Sequence, residues 1–409
     1  MQKFPIGFWN YTTVEQTYPE AVEDWEKLGM TLTFSPQYDP VRHSRQALLD
    51  LLDACRSRDI GVIVNDSRTR WGNAASDPAG YRERFLQACG DFGKHPAVVG
   101  FHLGDEPYHP QDFANCAAAH RICLEAAPEL LPHINFLPYW PGQEKTVLKA
   151  ASFRDWAAGM VKSAGLKVLC YDCYTQLNPE EEGTDNYFRN LRIFDQAAVA
   201  SGISPWTTLL SVGHFRYRVP TEDDFRWQLN SAVASGMKGV LWFYVYMVNI
   251  SNYRLAPIDE FGERTENFFR LSRVNRHFLH QFGDFFLLAK HTGAWHIGKA
   301  YGGYRLFRPG VDSDTVLDVT SEEGLPGIVS FFEKDGERYL AVVNNSPFES
   351  GRFTVHLPKR VQIFERLSWS RAFESVKEHR HDAVYWENEG EIGGGDWFAP
   401  GQMQLYHYR

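Results

Sequence analysis

The chain has 409 residues, 44% apolar and 23% charged, a composition that excludes wholesale disorder; at about 150 residues per domain, two or three domains are expected. Lys and Arg number 42 against 51 Asp and Glu, a formal charge of −9 with no basic run, so neither nucleic acid nor an anionic membrane is an expected partner. Aromatic residues reach 15%, with 12 Trp, 19 Tyr and 29 Phe, and their positions prove informative below.

Met-Gln-Lys-Phe-Pro at the N-terminus leads straight into a strand-like run with no apolar leader. Eight β-rich runs follow, at 4–10, 31–37, 61–66, 98–104, 133–139, 167–174, 206–214 and 239–247. Amphipathic stretches separate them and follow the last: 19–28, 43–58, 78–94, 111–127, 152–164, 186–201, 222–235 and 265–282. Ser-Gly at 201–202 and 235–236 closes helices, and Pro220-Thr221 followed by Glu222 and Asp223 opens one with acids at its positive end. Eight alternating strand–helix units over about 280 residues predict a (β/α)₈ TIM barrel, here residues 1–285.

Beyond 285 the helical period gives way to short alternating runs at 294–297, 327–333, 339–343, 352–357, 361–364, 383–387 and 403–408, with 311–324 reading as an exposed loop. That pattern predicts an all-β sandwich over 286–409 that braces the barrel. The most apolar run, 239–248, falls short of the ~20 residues a membrane span needs. Four cysteines fall in helical segments, and Cys170 and Cys173 form a CxxC with no second such pair, so structural thiols in a reducing, cytoplasmic setting are expected.

A barrel of this kind builds its site at the C-terminal ends of its strands. Those positions are Trp9, Asn10 and Tyr11; Gln37 and Tyr38; Asn65, Asp66 and Trp71; His102, Asp105 and Glu106; Asn135, Tyr139 and Trp140; Tyr171, Asp172 and Tyr174; His214 and Tyr217; and Trp242, Tyr244, Tyr246 and Asn249. Flat rings interleaved with carboxylates and amides suit a sugar, whose C–H faces stack while its hydroxyls hydrogen-bond. On this reading Trp9, Trp71, Trp140 and Trp242 are stacking platforms, and Asn10, Gln37, Asp66, His102, Asn135, Tyr174, His214, Tyr244 and Asn249 are polar contacts.

The sharpest motif is Val98-Val99-Gly100-Phe101-His102-Leu103-Gly104-Asp105-Glu106-Pro107, an apolar strand ending in two acids whose desolvation must be offset by use or pairing. It resembles the strand-4 signature, Asn-Glu-Pro, of the (β/α)₈ glycoside hydrolases of the large retaining clan. The resemblance implies an O-glycosidase with Glu106 as general acid/base and Asp105 in place of the Asn that holds the sugar's 2-hydroxyl. A β-sandwich after the barrel is also common there. Strand 7, at 206–214, lacks the clan's glutamate nucleophile, and no acid follows before Glu222. A two-carboxylate mechanism needs a partner for Glu106 within ~5–10 Å. Asp172, ending an apolar strand, is the first candidate; Asp66, with Arg68 and Arg70 nearby, is the second.

Two further readings stay open. Gly-Asp-Glu also resembles hexosaminidases that use the substrate's acetamido group as nucleophile, with Asp105 orienting it and Tyr244 in support. A non-catalytic sugar-binding barrel would also lack the strand-7 acid. The expected partner is an oligosaccharide or polysaccharide, and the oligomeric state is left open. No cofactor is expected, since no His-x-His follows strand 1, no Gly-x-Ser-x-Gly occurs, Gly393-Gly394-Gly395 precedes no helix, and His379-Arg380-His381-Asp382 reads as a solvated strand edge.

Overall fold

The computed structural model describes residues 3–322, 324–378 and 384–409. Eight short parallel strands form the first sheet: β1 (Ile6–Phe8), β2 (Leu32–Phe34), β3 (Gly61–Val64), β4 (Val98–Asp105), β5 (Leu131–Phe136), β6 (Val168–Asp172), β7 (Ser204–Leu210) and β8 (Gly239–Phe243). From β2 to β8 each pairs with its sequence neighbour, and β8 pairs with β1. Between β1 and β2 the ring closes through isolated bonds: Thr31 N–H donates to the Ile6 carbonyl (2.8 Å) and Ile6 N–H to Thr31 Oγ1 (2.9 Å). All eight predicted strand positions are occupied, each strand ending earlier than or within a residue of its predicted end.

Helices follow the strands: α1 (Ala21–Lys27), α2 (Arg45–Ser57), α3 (Pro78–Ala88), α4 (Pro110–Ala126), α5 (Gln143–Thr146), α6 (Phe153–Ala164), α7 (Glu181–Ser201), α8 (Glu222–Ala234), α9 (Glu266–Phe278) and α10 (Asp284–Leu288). Their ends are chemically set. The Asp77 carboxylate accepts from Gly80 N–H (3.0 Å) ahead of Pro78 in α3, and Thr221 and Asp224 form a reciprocal capping box on α8.

The C-terminal strands are β9 (Lys290–Ile297), β10 (Asp318–Ser321), β11 (Gly327–Lys334), β12 (Glu337–Asn344), β13 (Gly351–Pro358), β14 (Phe364–Leu367), β15 (Phe373–Ser375), β16 (Val384–Glu387), β17 (Glu391–Phe398) and β18 (Met403–Tyr408). They make two antiparallel sheets, ordered β10-β13-β17-β16 and β15-β14-β18-β12-β11-β9. Strand β10 falls inside the segment read as an exposed loop, and Val319 in it is buried in the sandwich core. Strand β17 was not predicted because Gly393, Gly394 and Gly395 hide its period of two. Close packing explains them: a Cβ on Gly393 would lie 2.2 Å from the Trp386 indole, and one on Gly394 2.5 Å from the Phe364 ring. The cluster at 379–382 lies outside the described residues.

The six-stranded sheet is apolar on both faces. Val329, Leu340, Val342 and Tyr406 pack toward the second sheet, whereas Ile328, Phe332, Ala341, Val343 and Leu405 alternate with them and join the core that runs beneath the barrel helices. At roughly 1.5–3 kcal/mol per large apolar side chain, the second face is a major stabilising contact. It is pinned by Trp227 Nε1 donating to Asn345 Oδ1 (2.8 Å) and Asn230 Nδ2 to the Gly401 carbonyl (2.9 Å), both from α8.

All six cysteines are free thiols. Among the described residues no helix is long and apolar enough to cross a membrane.

Candidate active site

The C-terminal ends of β1, β4, β5, β6, β7 and β8 surround a pocket of about 360 Å³. Three carboxyl groups open into it: Asp105 and Glu106 at the end of β4 and Asp172 at the end of β6. The backbone that delivers the first two is unusual. The β4–β5 register slips between His102 and Gly104, Gly104 has φ +149°, and Glu106 has φ +47°, a conformation non-glycine residues adopt only at a cost. Glu106 N–H donates to the Asn135 carbonyl (2.9 Å), which fixes that turn. The Trp71 ring lies where a Gly104 Cβ would sit, 2.3 Å from it. Gly104→Ala is therefore expected to destabilise the fold by about 1–3 kcal/mol or more, through overpacking and φ strain, and to displace Asp105 and Glu106; thermal melting and turnover check it.

Asn135, on β5, ties the acids together. Its Nδ2 donates to Asp105 Oδ1 (3.0 Å) and to Asp172 Oδ1 (2.8 Å), so the two carboxylate oxygens lie within about 6 Å of each other. Its Oδ1 accepts from the Cys170 thiol (3.5 Å). Asp172 is pushed up to about 8, first by burial and then by the charges of Glu106 and Asp105, against the opposing Asn135 bond. Glu106 is raised by burial and by Asp105. Asp105 is raised by burial, with Asn135 and the Arg70 guanidinium opposing. Asp172 therefore holds its proton at neutral pH.

Aromatic side chains form the walls. Burial, then the neighbouring acids, raises the phenols of Tyr11 and Tyr174, so both stay protonated and can donate. Tyr174 stacks on Phe243 (5.2 Å between centroids), and His214 lies parallel to Tyr253 (4.8 Å, 8°). His214 is buried and lowered to about 4, chiefly by desolvation and against a backbone hydrogen bond at Val212, so its ring is neutral.

Of the residues singled out from the sequence, Trp9, Tyr11, Asp105, Glu106, Asn135, Asp172, Tyr174, His214 and Tyr217 line this pocket. The others do not. Trp242 is fully buried beneath α9, donating to Asn275 Oδ1 (3.1 Å). Asp66 is fully buried in an ion pair with Arg68 (2.7 Å), which also reaches Asp91 (2.8 Å). Asn10 is buried as a loop brace, accepting from Thr12 N–H (3.0 Å). His102 lies inside the barrel, its Nδ1 3.3 Å from that of His133, and burial keeps both rings neutral. Tyr244 accepts from Val248 N–H (3.3 Å) behind Tyr11 and Tyr253. Trp71 covers Gly104, while Trp140, Gln37 and Asn249 stand outside the lining. Phe215, Tyr253 and Asn186 line the pocket without having been singled out, Tyr253 because it is ten residues past β8 and long-range bonds such as the Gly213–Arg254 backbone pair (3.1 and 2.9 Å) bring its loop back.

Among the described residues no three His, Cys, Asp or Glu side chains are grouped to hold a metal ion.

Fold and site together define a (β/α)₈ barrel with a carboxyl-bearing, aromatic-walled mouth and a β-sandwich packed beneath its helices. No protein-family model matches the chain, and no curated protein matches it in sequence. Solved structures do match in fold. A family 39 glycoside hydrolase from the gut symbiont Bacteroides cellulosilyticus WH2 superposes with a TM-score of 0.54 at 12% identity, over 100% of this chain and 81% of that one. A beta-galactosidase from the psychrophilic Marinomonas ef1 gives 0.50 at 11% identity over 67% of this chain, which spans 59% of the galactosidase's length. At these identities the likeness is one of fold.

Proposed function

We propose that the protein is a glycoside hydrolase in which Glu106 is the general acid/base and Asp172 the second carboxylate. The observation that carries this reading is the convergence of Asp105, Glu106 and Asp172 in one aromatic-walled pocket, where burial and the charges of the other two acids raise Asp172. Glycoside hydrolysis needs one protonated and one ionised carboxyl at once, and neighbouring acids in different surroundings, Glu106 at the rim and Asp172 deeper in the pocket, supply that pair. Glu106 protonates the glycosidic oxygen as the C–O bond breaks. Asp172 then attacks the anomeric carbon or takes the proton of an attacking water. Asp105, held by Asn135, accepts a hydrogen bond from a ring hydroxyl. The fold shared with two sugar-cleaving enzymes supports the reading.

A second reading rests on the height of the Asp172 pKa: the proton stands on Asp172 and Glu106 is the ionised partner. Screening wild type, Glu106→Gln and Asp172→Asn against a panel of aryl glycosides and natural oligosaccharides tests both. Hydrolysis in wild type that both variants lose supports the pair; undiminished hydrolysis in either variant removes that residue from the mechanism.

A further inference from the structure

One strained aromatic residue at the pocket mouth leaves most of its surface in solvent. Phe215, just past β7, is 61% exposed, although a ring of that size ordinarily gains by burial. Its φ is +48°, a left-handed conformation that costs a non-glycine residue about 1–2 kcal/mol and persists only where the surroundings enforce it. The enforcement is visible. Phe215 N–H donates to Asn252 Oδ1 (2.7 Å), and Asn252 Nδ2 donates back to the Phe215 carbonyl (2.9 Å). Gly213 and Arg254 exchange backbone bonds beside it, and Arg254 Nη2 donates to the Tyr217 carbonyl (3.0 Å). The β7 and β8 loops are thus clasped so that the ring stands at the edge of the pocket, against the stacked His214–Tyr253 pair (centroids 4.9 and 6.2 Å).

The pocket, at about 360 Å³, is near the small end for ligand sites, so a substrate longer than the unit it encloses must project past this rim. We propose that Phe215 is a specificity-determining residue: its clamped ring is the platform on which the projecting sugar unit stacks, so the enzyme selects oligosaccharides over isolated monosaccharides. The inference rests on the glycoside hydrolase reading. The double amide clamp fixes the Phe215 backbone before binding, so less freedom is lost when a sugar stacks on its ring.

The test uses the full chain carrying Glu106→Gln, so that sugars bind without turnover. Its binding to an oligosaccharide array identifies a trisaccharide, and titration calorimetry then compares that trisaccharide with its non-reducing-end monosaccharide, with and without Phe215→Ala or Asn252→Ala. The expected result is a trisaccharide affinity weakened about tenfold by Phe215→Ala and in the same direction by Asn252→Ala, while monosaccharide affinity stays within about twofold. Equal effects on both sugars, or none on either, overturn the platform and leave the glycosidase reading standing. Absence of any sugar binding to the array overturns both.

Discussion

Glu106→Gln is expected to lower kcat on a natural glycoside by about 10²–10⁴, the usual contribution of a positioned proton donor, and to lose far less on a dinitrophenyl glycoside whose leaving group departs without a proton. The basic limb of its pH–rate profile should disappear with the donor. Asp172→Asn is expected to lose turnover on both substrates, because attack at the anomeric carbon is needed whatever the leaving group. Paired kinetics on the two substrate types check this. The reverse pattern, with Asp172→Asn sparing the dinitrophenyl glycoside, would exchange the two roles and match the high pKa of Asp172.

Asp172→Asn is also expected to melt at a higher temperature than wild type, by an amount that grows with pH. The carboxyl titrates near 3.8 when free and at about 8 in the folded protein. Between those values the folded state binds more protons than the unfolded state, so wild-type stability falls as pH rises through that window. Below about pH 4 the carboxyl is neutral in both states and the variant gains nothing. Above about pH 8 the difference levels off. Melting temperatures of both proteins from pH 4 to pH 9 check the sign, and a gap independent of pH would mean that Asp172 is not forced to hold its proton. A variant that is more stable and less active identifies burial of this acid as a cost the fold sustains for the sake of the site.

The barrel was legible because parallel strands buried on both faces read as continuous apolar runs, and their connecting helices carry caps and acidic first turns. The β17 strand was not, since three glycines replace the side chains that would show alternation, and the reason for them, indole and phenyl rings pressed onto the backbone, lies elsewhere in the chain. At the site, proximity to a strand end identified Asp105, Glu106, Asn135 and Asp172, but not which way a ring faces. Trp242 and Trp9 both stand at strand ends, yet Trp242 points outward to Asn275 and Trp9 into the pocket. A one-residue difference in pleat decides this, and short three- to five-residue strands give little sequence from which to read it. Tyr253 and Phe215 depend on a loop–loop clasp, a long-range contact with no local signature.

The sheet that is apolar on both faces makes the barrel and the sandwich a single inheritance. Ile328, Phe332, Val343 and Leu405 belong to the same core as Trp227 and Phe286, so removing either half leaves the other with a bare, sticky surface. Neither half is a module to be traded between enzymes on its own. Heating should melt them in one event, and a lesion in the sandwich, however distant from the acids, is felt as less folded protein.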